Sequence, residues 1–351
     1  MLVSQGMEQA PLFSICVPAH NATGVIGECL ASLARQSCES WEAIVVDDAS
    51  TDSLDQWCAG QDVICAERLT YYRFDENGGP FRARRKAFSL ARGRYVICLD
   101  SDDELIGSDA LALMAEAIER ESPDVLMFNM SACVDGGDSI IDYGALGLAE
   151  GAVDKGAFVE AFLSSYALNN LATKALRREL VGAGGDEPRR RLKMCEDRLE
   201  VSGALARAES FCLLDRDLYF YRPNEASTTH TRFELDYCDQ QAYVERVVWE
   251  RLGGAVGSRD GQYRLLLSAW AHDMEALAQD RGVAELAACL EQMAAEPLFV
   301  EAMGVVGTDG QRAERATSLR LLAAGRVRAA ARWVRLLGCV KGMLRAVQVS
   351  E

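Results

Sequence analysis

The sequence predicts an α/β protein with a mostly parallel central sheet flanked by helices, followed by an all-helical C-terminal region. Up to about residue 130, short apolar runs alternate with longer segments of helical periodicity, as in a parallel sheet covered by helices on both faces. From residue 233 onward Pro297 is the only proline, and the pattern is helical throughout. We therefore predict two domains, residues 1–232 and residues 233–351.

Five apolar runs are the predicted strands of the sheet. They are Phe13 to Val17, Ala43 to Val46, Leu69 to Phe74, Tyr95 to Leu99 and Val125 to Met130. Each run is short and apolar on both faces, as strands buried between two layers of helices are. In such sheets ligands bind beyond the carboxyl ends of the strands. The residues that follow each run are therefore the first candidates for a functional site.

The chain between the last of these strands and residue 232 is predicted to hold further helices and two short strands. Apolar side chains at helical spacing and runs of β-prone residues are the basis for these elements. The predicted helices are Lys155 to Tyr166, Lys174 to Val181 and Glu196 to Ala208, and the predicted strands are Phe211 to Leu214 and Leu218 to Tyr221.

The composition argues against several classes of function. The net charge of -16 argues against general binding to nucleic acid, whose phosphates this chain would repel. The twelve cysteines include no CxxC pair and no Cys/His spacing suited to zinc, which is typical of a reduced protein with buried thiols. The N-terminal segment lacks the basic flank and apolar stretch of a secretion signal, and no run is long and apolar enough to span a bilayer. We expect a cytoplasmic protein.

Polar residues follow the first two predicted strands. VPAHN contains Pro18, His20 and Asn21 at the point where the first strand ends. VVDDASTD places two adjacent acids after the second strand, and such acids are costly to bury without partners. Asp48 is the acid suited to accept hydrogen bonds from a ribose hydroxyl or a base N–H. The alternatives are a simple turn after the first strand and a helix cap at residues 50–52.

A third acidic motif, LDSDDE, follows the fourth strand. Asp100, Asp102 and Asp103 lie within four residues, and like charges at this spacing repel unless a cation or hydrogen-bond donors lie among them. A few carboxylate oxygens with room for phosphate suit Mg²⁺ or Mn²⁺ bridging a diphosphate. The alternative is an acidic loop that caps the helix near Ser108.

Two further segments carry charge of the kind a phosphate or sugar site uses. Asn77 to Gly79 forms a turn, Pro80 opens a helix, and this helix carries Arg82, Arg84, Arg85 and Lys86. Glu196 and Asp197 begin another helix, where the dipole favours an ionised carboxylate. An ionised Asp197 facing a sugar hydroxyl can act as a general base, and simple capping of the helix explains the same residues equally well.

In this order and spacing, the motifs resemble those of the family 2 glycosyltransferases with the GT-A nucleotide-binding fold. VPAHN and VVDDASTD resemble the family's first-strand and second-strand motifs, and LDSDDE resembles its metal-binding DxD element. Glu196-Asp197 is similar to the family's ED pair, and LYFYRPNEASTTH to the stretch that closes the domain. The resemblance covers Phe13 to His230.

The resemblance implies a role for each matching residue. Contacts to the nucleotide of the donor are implied for Pro18, His20, Asn21, Asp48, Arg84 and Asp100. Asp102, with Asp100 or Asp103, would hold the metal and the ribose; we assign Asp102 and Asp103 to the metal, which is Mn²⁺ or Mg²⁺. Asp197 would be the catalytic base, and His230 is a candidate contact to the diphosphate or else a surface histidine. His20 stands where the family commonly has Tyr.

The implied activity is an inverting transfer of a hexose or N-acetylhexosamine. The implied donor is a UDP-sugar, and the implied acceptor is a hydroxyl of a glycan or lipid-linked precursor in bacterial polysaccharide biosynthesis. A second hypothesis is a catalytically inactive module that binds a nucleotide sugar or a partner on the same fold. The sequence disfavours a dinucleotide-dependent oxidoreductase, because no GxGxxG follows the first strand.

The C-terminal segment is basic on an otherwise acidic chain. Residues 311–351 contain nine Lys or Arg and two Glu. Within residues 316–348 apolar side chains recur at helical spacing, and the arginines and lysines occupy other faces. Such a helix is suited to lie on the anionic inner face of a membrane, as a peripheral contact near lipid-linked acceptors. The alternative is a helix docked on the acidic body of the same chain.

Overall fold

The computed structural model describes residues 10–181, 192, 195–223 and 236–348, with side chains up to residue 340. The chain divides into two compact units. The first comprises Met1–Phe158, Ala167–Pro188 and Glu200–Asn224, and the second comprises Val159–Tyr166, Arg189–Leu199 and Glu225–Glu351. The predicted domain boundary at residue 232 lies outside the described residues.

The first unit is built on a mixed sheet that has nine strands within the described residues. The strands are β1 (Phe13–Ala19), β2 (Trp41–Asp47), β3 (Leu69–Arg73), β4 (Tyr95–Cys98), β5 (Glu104–Leu105), β6 (Val125–Ser131), β7 (Gly151–Val153), β8 (Lys174–Arg177) and β9 (Phe211–Phe220). Their order is β3-β2-β1-β4-β8-β6-β9-β5, and β7 pairs with β9. The first four strands in this order are mutually parallel, and β8 is antiparallel to both of its neighbours. The predicted α/β class is confirmed.

One predicted helix is wrong. Lys174 to Val181 forms strand β8 and a short 3-10 helix, Arg178–Leu180, in place of an α-helix. Ala175 is fully buried and lies opposite Ile97 of β4 and Leu126 of β6. The backbone pairing on both sides overrides the helix propensity of the local sequence. The two predicted short strands after residue 210 form a single strand, β9.

Helices connect the strands along the chain. They are α1 (Ile26–Ala34), α2 (Leu54–Gly60), α3 (Pro80–Leu90), α4 (Ala110–Glu121), α5 (Lys155–Ser164) and α6 (Glu196–Arg207). Helix α4 buries Leu111, Met114 and Ile118, which fall on one face as the spacing predicts. Helix α3 begins at Pro80 directly after Gly79, whose φ of 88° suits glycine.

A buried carboxylate fixes the amino ends of the central strands. Glu42 accepts hydrogen bonds from the Ser14 hydroxyl (2.7 Å) and from the backbone and guanidinium of Arg92 (2.7 and 2.8 Å). The backbone N–H of Gly93 donates to the same Ser14 hydroxyl over 2.8 Å. The loop from α3 to β4 is therefore tied to β1 and β2.

The second unit is helical in its C-terminal part. Its helices are α7 (Asp236–Leu252), α8 (Asp260–Asp280), α9 (Val283–Ala295), α10 (Pro297–Val305), α11 (Ala313–Ala323) and α12 (Val327–Gln348). The rings of Trp270 and Phe299 stack in its core with centroids 5.7 Å apart. The predicted helical C-terminal region is confirmed over the described residues. Within these residues, none of the helices combines the length and hydrophobicity needed to span a bilayer.

The first part of α12 packs on its own unit. Ala330, Ala331 and Val334 are buried in the core of that unit. The indole of Trp333 donates to the Glu314 carbonyl over 3.0 Å, which ties α12 to α11. Further along, Leu336 and Val340 are 56% and 46% exposed. The start of α12 is therefore docked on the chain itself, as the alternative to a membrane contact predicts. The later part of α12 presents apolar side chains to solvent.

Candidate active site

Three predicted motifs meet at the carboxyl edge of the sheet. In the parallel register, Ala19 at the end of β1 lies opposite Asp47 at the end of β2, and Cys16 of β1 lies opposite Cys98 of β4. The Asp48 N–H extends this pairing by donating to the Ala19 carbonyl over 2.8 Å. The residues after β1, β2 and β4 therefore leave the sheet side by side, where α/β sheets bind ligands.

The loops after β1 and β2 are hydrogen-bonded to each other. His20 Nδ1 lies 2.9 Å from the Asp48 carbonyl, which only accepts, so Nδ1 carries the proton. His20 Nε2 then accepts from the Asn21 amide over 3.2 Å. Asn21 Oδ1 accepts from the Thr51 N–H over 2.8 Å. His20 and Asn21 are both exposed at this edge of the sheet, and their predicted contact with the nucleotide stays a prediction.

The paired acids after β2 both have protein partners. Asp47 is fully buried and accepts from the Tyr71 hydroxyl (2.6 Å) and from the Arg73 guanidinium (3.1 Å). Asp48 is 3% exposed, and its two carboxylate oxygens accept from the N–H groups of Gly78 (2.8 Å) and Gly79 (2.6 Å). Asp48 thus fixes the turn that opens α3. Its predicted contact with the nucleoside stays a prediction.

The basic side chains of α3 divide into two groups. Arg82 and Lys86 lie over the rings of Phe74 and Tyr72, at 3.8 and 4.2 Å from the ring centroids. Arg84 is buried, and its Nη1 lies 3.9 Å from Oε2 of Glu200 on α6. Arg84 therefore forms a buried ion pair in this structure, and its predicted place beside the ribose or phosphates of the donor stays a prediction.

The acidic loop after β4 is anchored through Asp103. This residue is 2% exposed, and its carboxylate accepts from the Tyr219 hydroxyl (2.6 Å) and from the Arg222 N–H (2.8 Å). Burial, with the charges of Asp100 and Asp102, raises the pKa of Asp103 to about 7 against the opposing effect of the two hydrogen bonds. Asp103 thus holds the loop, whereas Asp100 and Asp102 are only partly buried.

An arginine at the end of β9 completes this anchor. The Arg222 guanidinium donates to the Asp102 carbonyl (2.8 Å) and to Oε1 of Glu104 (2.9 Å), and it also pairs with Glu28. Arg35, directly after α1, pairs with the other oxygen of Glu104 at 3.2 Å. Sequence reasoning missed Tyr219 and Arg222. The one signal available was the segment LYFYRP, in which Tyr219 lies within the last predicted strand and Arg222 directly follows it.

The chemistry of the acidic loop fits a divalent metal held jointly with phosphate. Within the described part of the chain, no group of three His, Cys, Asp or Glu side chains is arranged to hold a metal ion. Asp100 and Asp102 supply hard carboxylate oxygens, and Mg²⁺ is commonly bound by one or two carboxylates together with substrate phosphates. The protein therefore does not need to supply all the ligands of the metal ion. Asp102 is the stronger candidate ligand, because both oxygens of Asp103 already accept hydrogen bonds.

The candidate base begins helix α6. Glu196 and Asp197 form its first turn, and Asp197 is partly buried within the second unit. Cys195, directly before them, has a φ of 61°, a conformation that non-glycine residues rarely adopt. Burial raises the pKa of the Cys195 thiol to about 12, so this thiol stays protonated. His230, the candidate contact to the diphosphate, lies outside the described residues.

Comparison with known proteins shows what the chain is similar to. Residues 14–146 match the family described as "Glycosyl transferase family 2", the family that the order of motifs resembles. A PGL/p-HBAD biosynthesis glycosyltransferase of Mycobacterium bovis is 35% identical over 119 residues, which are 34% of this chain and 46% of that protein. The putative teichuronic acid biosynthesis glycosyltransferase TuaG of Bacillus subtilis is 42% identical over 94 residues, 27% of this chain and 37% of that protein.

Solved structures show the fold. The crystal structure of S. aureus TarS 1-349 in complex with UDP-GlcNAc has a TM-score of 0.67 and 22% sequence identity, and the match covers 92% of this chain and 90% of that one. This likeness confirms the predicted GT-A fold with its helical C-terminal region. The chain spans less than half the length of the two curated relatives named above.

Proposed function

We propose that this chain is an inverting glycosyltransferase that takes a sugar from a nucleoside diphosphate. The observation that carries the proposal is the meeting of His20, Asn21 and the Asp100–Asp102 loop at one edge of three parallel strands. The family 2 match over residues 14–146 supports it. A bacterial cell-surface glycan is the proposed product, in line with the relatives' named roles in biosynthesis of PGL/p-HBAD and teichuronic acid.

The nucleotide of the donor binds at the loops after β1 and β2. Pro18 is buried within β1, opposite Val46 of β2, and the exposed His20 and Asn21 that follow β1 lie where a base and ribose would rest. Asp48 contributes to nucleotide binding in two ways. It fixes the Gly78–Gly79 turn, and its carboxylate oxygens retain lone pairs that can accept further hydrogen bonds. UDP is the proposed nucleotide, because the related fold of TarS has been solved with UDP-GlcNAc.

The acidic loop would hold Mn²⁺ or Mg²⁺ through Asp102, with Asp100 or Asp103. When bound, such an ion neutralises the negative charge that develops on the diphosphate as it leaves. The chain's own part is to keep the carboxylates in place, through the hydrogen bonds that Tyr219 and Arg222 make to Asp103 and the Asp102 carbonyl. Arg84 is proposed to lie near the ribose or phosphates, and His230 to reach the diphosphate.

Asp197 is the proposed general base. The amino end of α6 favours its ionised form, and an ionised carboxylate accepts the proton of the acceptor hydroxyl. The acceptor oxygen forms the new bond to the anomeric carbon, and the bond from that carbon to the diphosphate breaks. The electron pair of the broken bond leaves with the diphosphate, and attack from the opposite face inverts the configuration of the sugar.

The acceptor is proposed to be a glycan or a lipid-linked precursor at the inner face of the membrane. Residues 316–348 would supply a peripheral contact, because Leu336 and Val340 are exposed on a helix that also carries Arg328 and Arg332 at its surface. Basic amphipathic helices of this kind bind anionic lipid surfaces.

Calorimetry with UDP, GDP and dTDP tests the donor site, each nucleotide being titrated with Mn²⁺, with Mg²⁺ and with chelator. We expect metal-dependent binding of UDP that Asp102→Ala abolishes. Asp239→Ala is the matched control, because Asp239 is an exposed acid on α7. Failure of every nucleotide to bind in either metal would contradict the proposal. The inactive partner-binding module would then be the better hypothesis.

A further inference from the structure

Arg198, the residue after the proposed base, is a fully buried cation in the second unit. Its side chain has no exposed surface. The guanidinium carbon lies 4.5 Å from the ring centroid of Phe162 and 5.0 Å from that of Tyr166. Burial of a charge is costly unless the charge is paired and hydrogen-bonded, so the partners of Arg198 matter.

Those partners come from two other helices. Arg198 Nε lies 2.7 Å from Oε1 of Glu245 on α7, and Nη2 donates to Oε2 of the same residue over 3.2 Å. Arg198 Nη1 donates to the Phe162 carbonyl over 2.9 Å. This carbonyl belongs to the last turn of α5, where a cation is favoured by the helix dipole. Arg198 therefore joins the start of α6 to the end of α5 and the middle of α7.

Glu245 is itself held by further contacts. It is 1% exposed, and Gln262 of α8 donates through Nε2 to its carboxylate over 2.5 Å and to its carbonyl over 2.8 Å. An arginine of α7, Arg251, donates to the Leu199 carbonyl over 2.7 Å. Helix α7 thus holds the first turn of α6 at two successive residues, Arg198 and Leu199.

The backbone at this turn is also strained. Cys195 has a φ of 61° directly before Glu196 and Asp197. Such conformations persist where the surrounding structure determines them, and they concentrate at functional sites. A buried ion pair adds little net stability compared with an apolar pair of the same size, and in some proteins it specifies one arrangement of the parts it joins. The Arg198–Glu245 pair is therefore better suited to fix this turn than to stabilise the unit.

We propose that Arg198 and Glu245 are a positioning pair that fixes the first turn of α6 and so orients the carboxylate of Asp197. The proposal rests on the assignment of Asp197 as the base. Neither residue touches the substrate in this account. The pair acts on the rate of transfer through the placement of Asp197, and we expect it to leave the affinity for nucleotide unchanged.

The test is the double variant Arg198→Met/Glu245→Leu, because removal of one partner alone would leave a buried unpaired charge and risk unfolding. The matched control is Arg315→Met/Glu275→Leu, which removes an ion pair between α11 and α8 in the same unit. Two quantities are measured in each protein. One is UDP release from UDP-N-acetylglucosamine and other UDP-sugars with water as acceptor, and the other is amide hydrogen exchange over residues 195–200.

We expect the positioning variant to fold, to bind UDP with unchanged affinity, and to lose about tenfold or more in kcat with KM unchanged. Exchange over residues 195–200 should accelerate in this variant and stay unchanged in the control. Unaltered kcat together with unaltered exchange would overturn the proposal. The variant Asp197→Asn separates the role of Asp197 as base from the role of Arg198 and Glu245 in positioning. If Asp197→Asn keeps the wild-type kcat, Asp197 is not the base, and the hydrogen-exchange result then tests the positioning pair. If the wild type releases no UDP, the amide hydrogen exchange over residues 195–200 is the result that supports or overturns the positioning pair.

Discussion

The Tyr219 hydroxyl donates a 2.6 Å hydrogen bond to Oδ2 of Asp103 and accepts one of 3.2 Å from the Asp100 N–H. One side chain of β9 thus holds both ends of the acidic loop that follows β4. Removal of the hydroxyl would leave a buried carboxylate with one donor fewer, at a cost of about 1–3 kcal/mol. The geometry of the loop therefore depends on a residue that lies more than a hundred positions away in the sequence.

Tyr219→Phe should destabilise the chain by about 1–3 kcal/mol and weaken metal-dependent binding of UDP. Denaturant unfolding gives the first quantity and calorimetry with Mn²⁺ the second. Tyr221→Phe is the matched control, because Tyr221 is 37% exposed. If Tyr219→Phe binds UDP and Mn²⁺ as the wild type does, Tyr219 has no part in holding the loop for the metal.

Gly93→Ala should be strongly destabilising, by about 2–4 kcal/mol, because overpacking against backbone cannot be relieved by a rotamer change. A Cβ at Gly93 would meet the Ser14 nitrogen at 2.6 Å and the Phe13 carbonyl carbon at 2.7 Å. Gly60→Ala is the control, since a Cβ there meets no atom of the described structure within 4 Å. Equal unfolding free energies for the two variants would contradict the close approach of β1 to the loop before β4.

Asp273 makes stability depend on pH. It is 5% exposed, and burial raises its pKa to about 7, against the hydrogen bond from Gln241 and the charge of Arg315. Between about pH 4 and 7 the folded chain keeps this proton and the unfolded chain loses it, so this group lowers stability as the pH rises. In this range Asp273 lowers the free energy of unfolding by up to about 1.4 kcal/mol for each unit by which the pH rises.

Asp273→Asn should therefore remove part of the decline in unfolding free energy between about pH 4 and 7. Urea unfolding at several pH values measures the slope. Asp239→Asn changes an exposed acid and should keep the wild-type slope. A variant slope at position 273 equal to that of the wild type would show that Asp273 ionises normally in the folded chain.

Two truncations separate the docked and exposed parts of α12. A chain ending at residue 335 keeps Ala330, Ala331 and Val334 in the core and removes the exposed Leu336 and Val340, so it should retain the wild-type melting temperature and lose binding to anionic liposomes. A chain ending at residue 326 should also lose stability, because it exposes that core. Cosedimentation and thermal unfolding give the two results. If the full-length chain never sediments with anionic liposomes, the membrane contact is wrong.

The central strands were predictable from the sequence, because a strand buried on both faces is apolar at most positions. The runs around Ile15, Val45 and Ile97 needed no information from elsewhere in the chain. Strand β8 was not predictable in this way. Lys174 to Arg177 has helix-forming side chains, and only its pairing with β4 and β6 makes it a strand.

The motifs that meet at one edge of the sheet were predictable from the sequence, whereas the contacts of their side chains were not. The adjacent acids at Asp47–Asp48 and Asp102–Asp103 required partners; Asp48 was assigned to the nucleotide, and Asp102 and Asp103 were assigned to the metal. The structure supplies protein donors for Asp48 and Asp103, from Gly78, Gly79, Tyr219 and Arg222. These donors come from other loops and strands, so no local pattern identifies them.

The most direct test of the account is UDP release from UDP-sugars by the wild type and by Asp197→Asn, with Mn²⁺ and bacterial cell-wall glycan as acceptor. We expect the variant to bind UDP as tightly as the wild type and to lose about a hundredfold or more in kcat, as removal of a general base does. Transfer at the wild-type rate by Asp197→Asn would contradict the assigned base and with it the proposed mechanism.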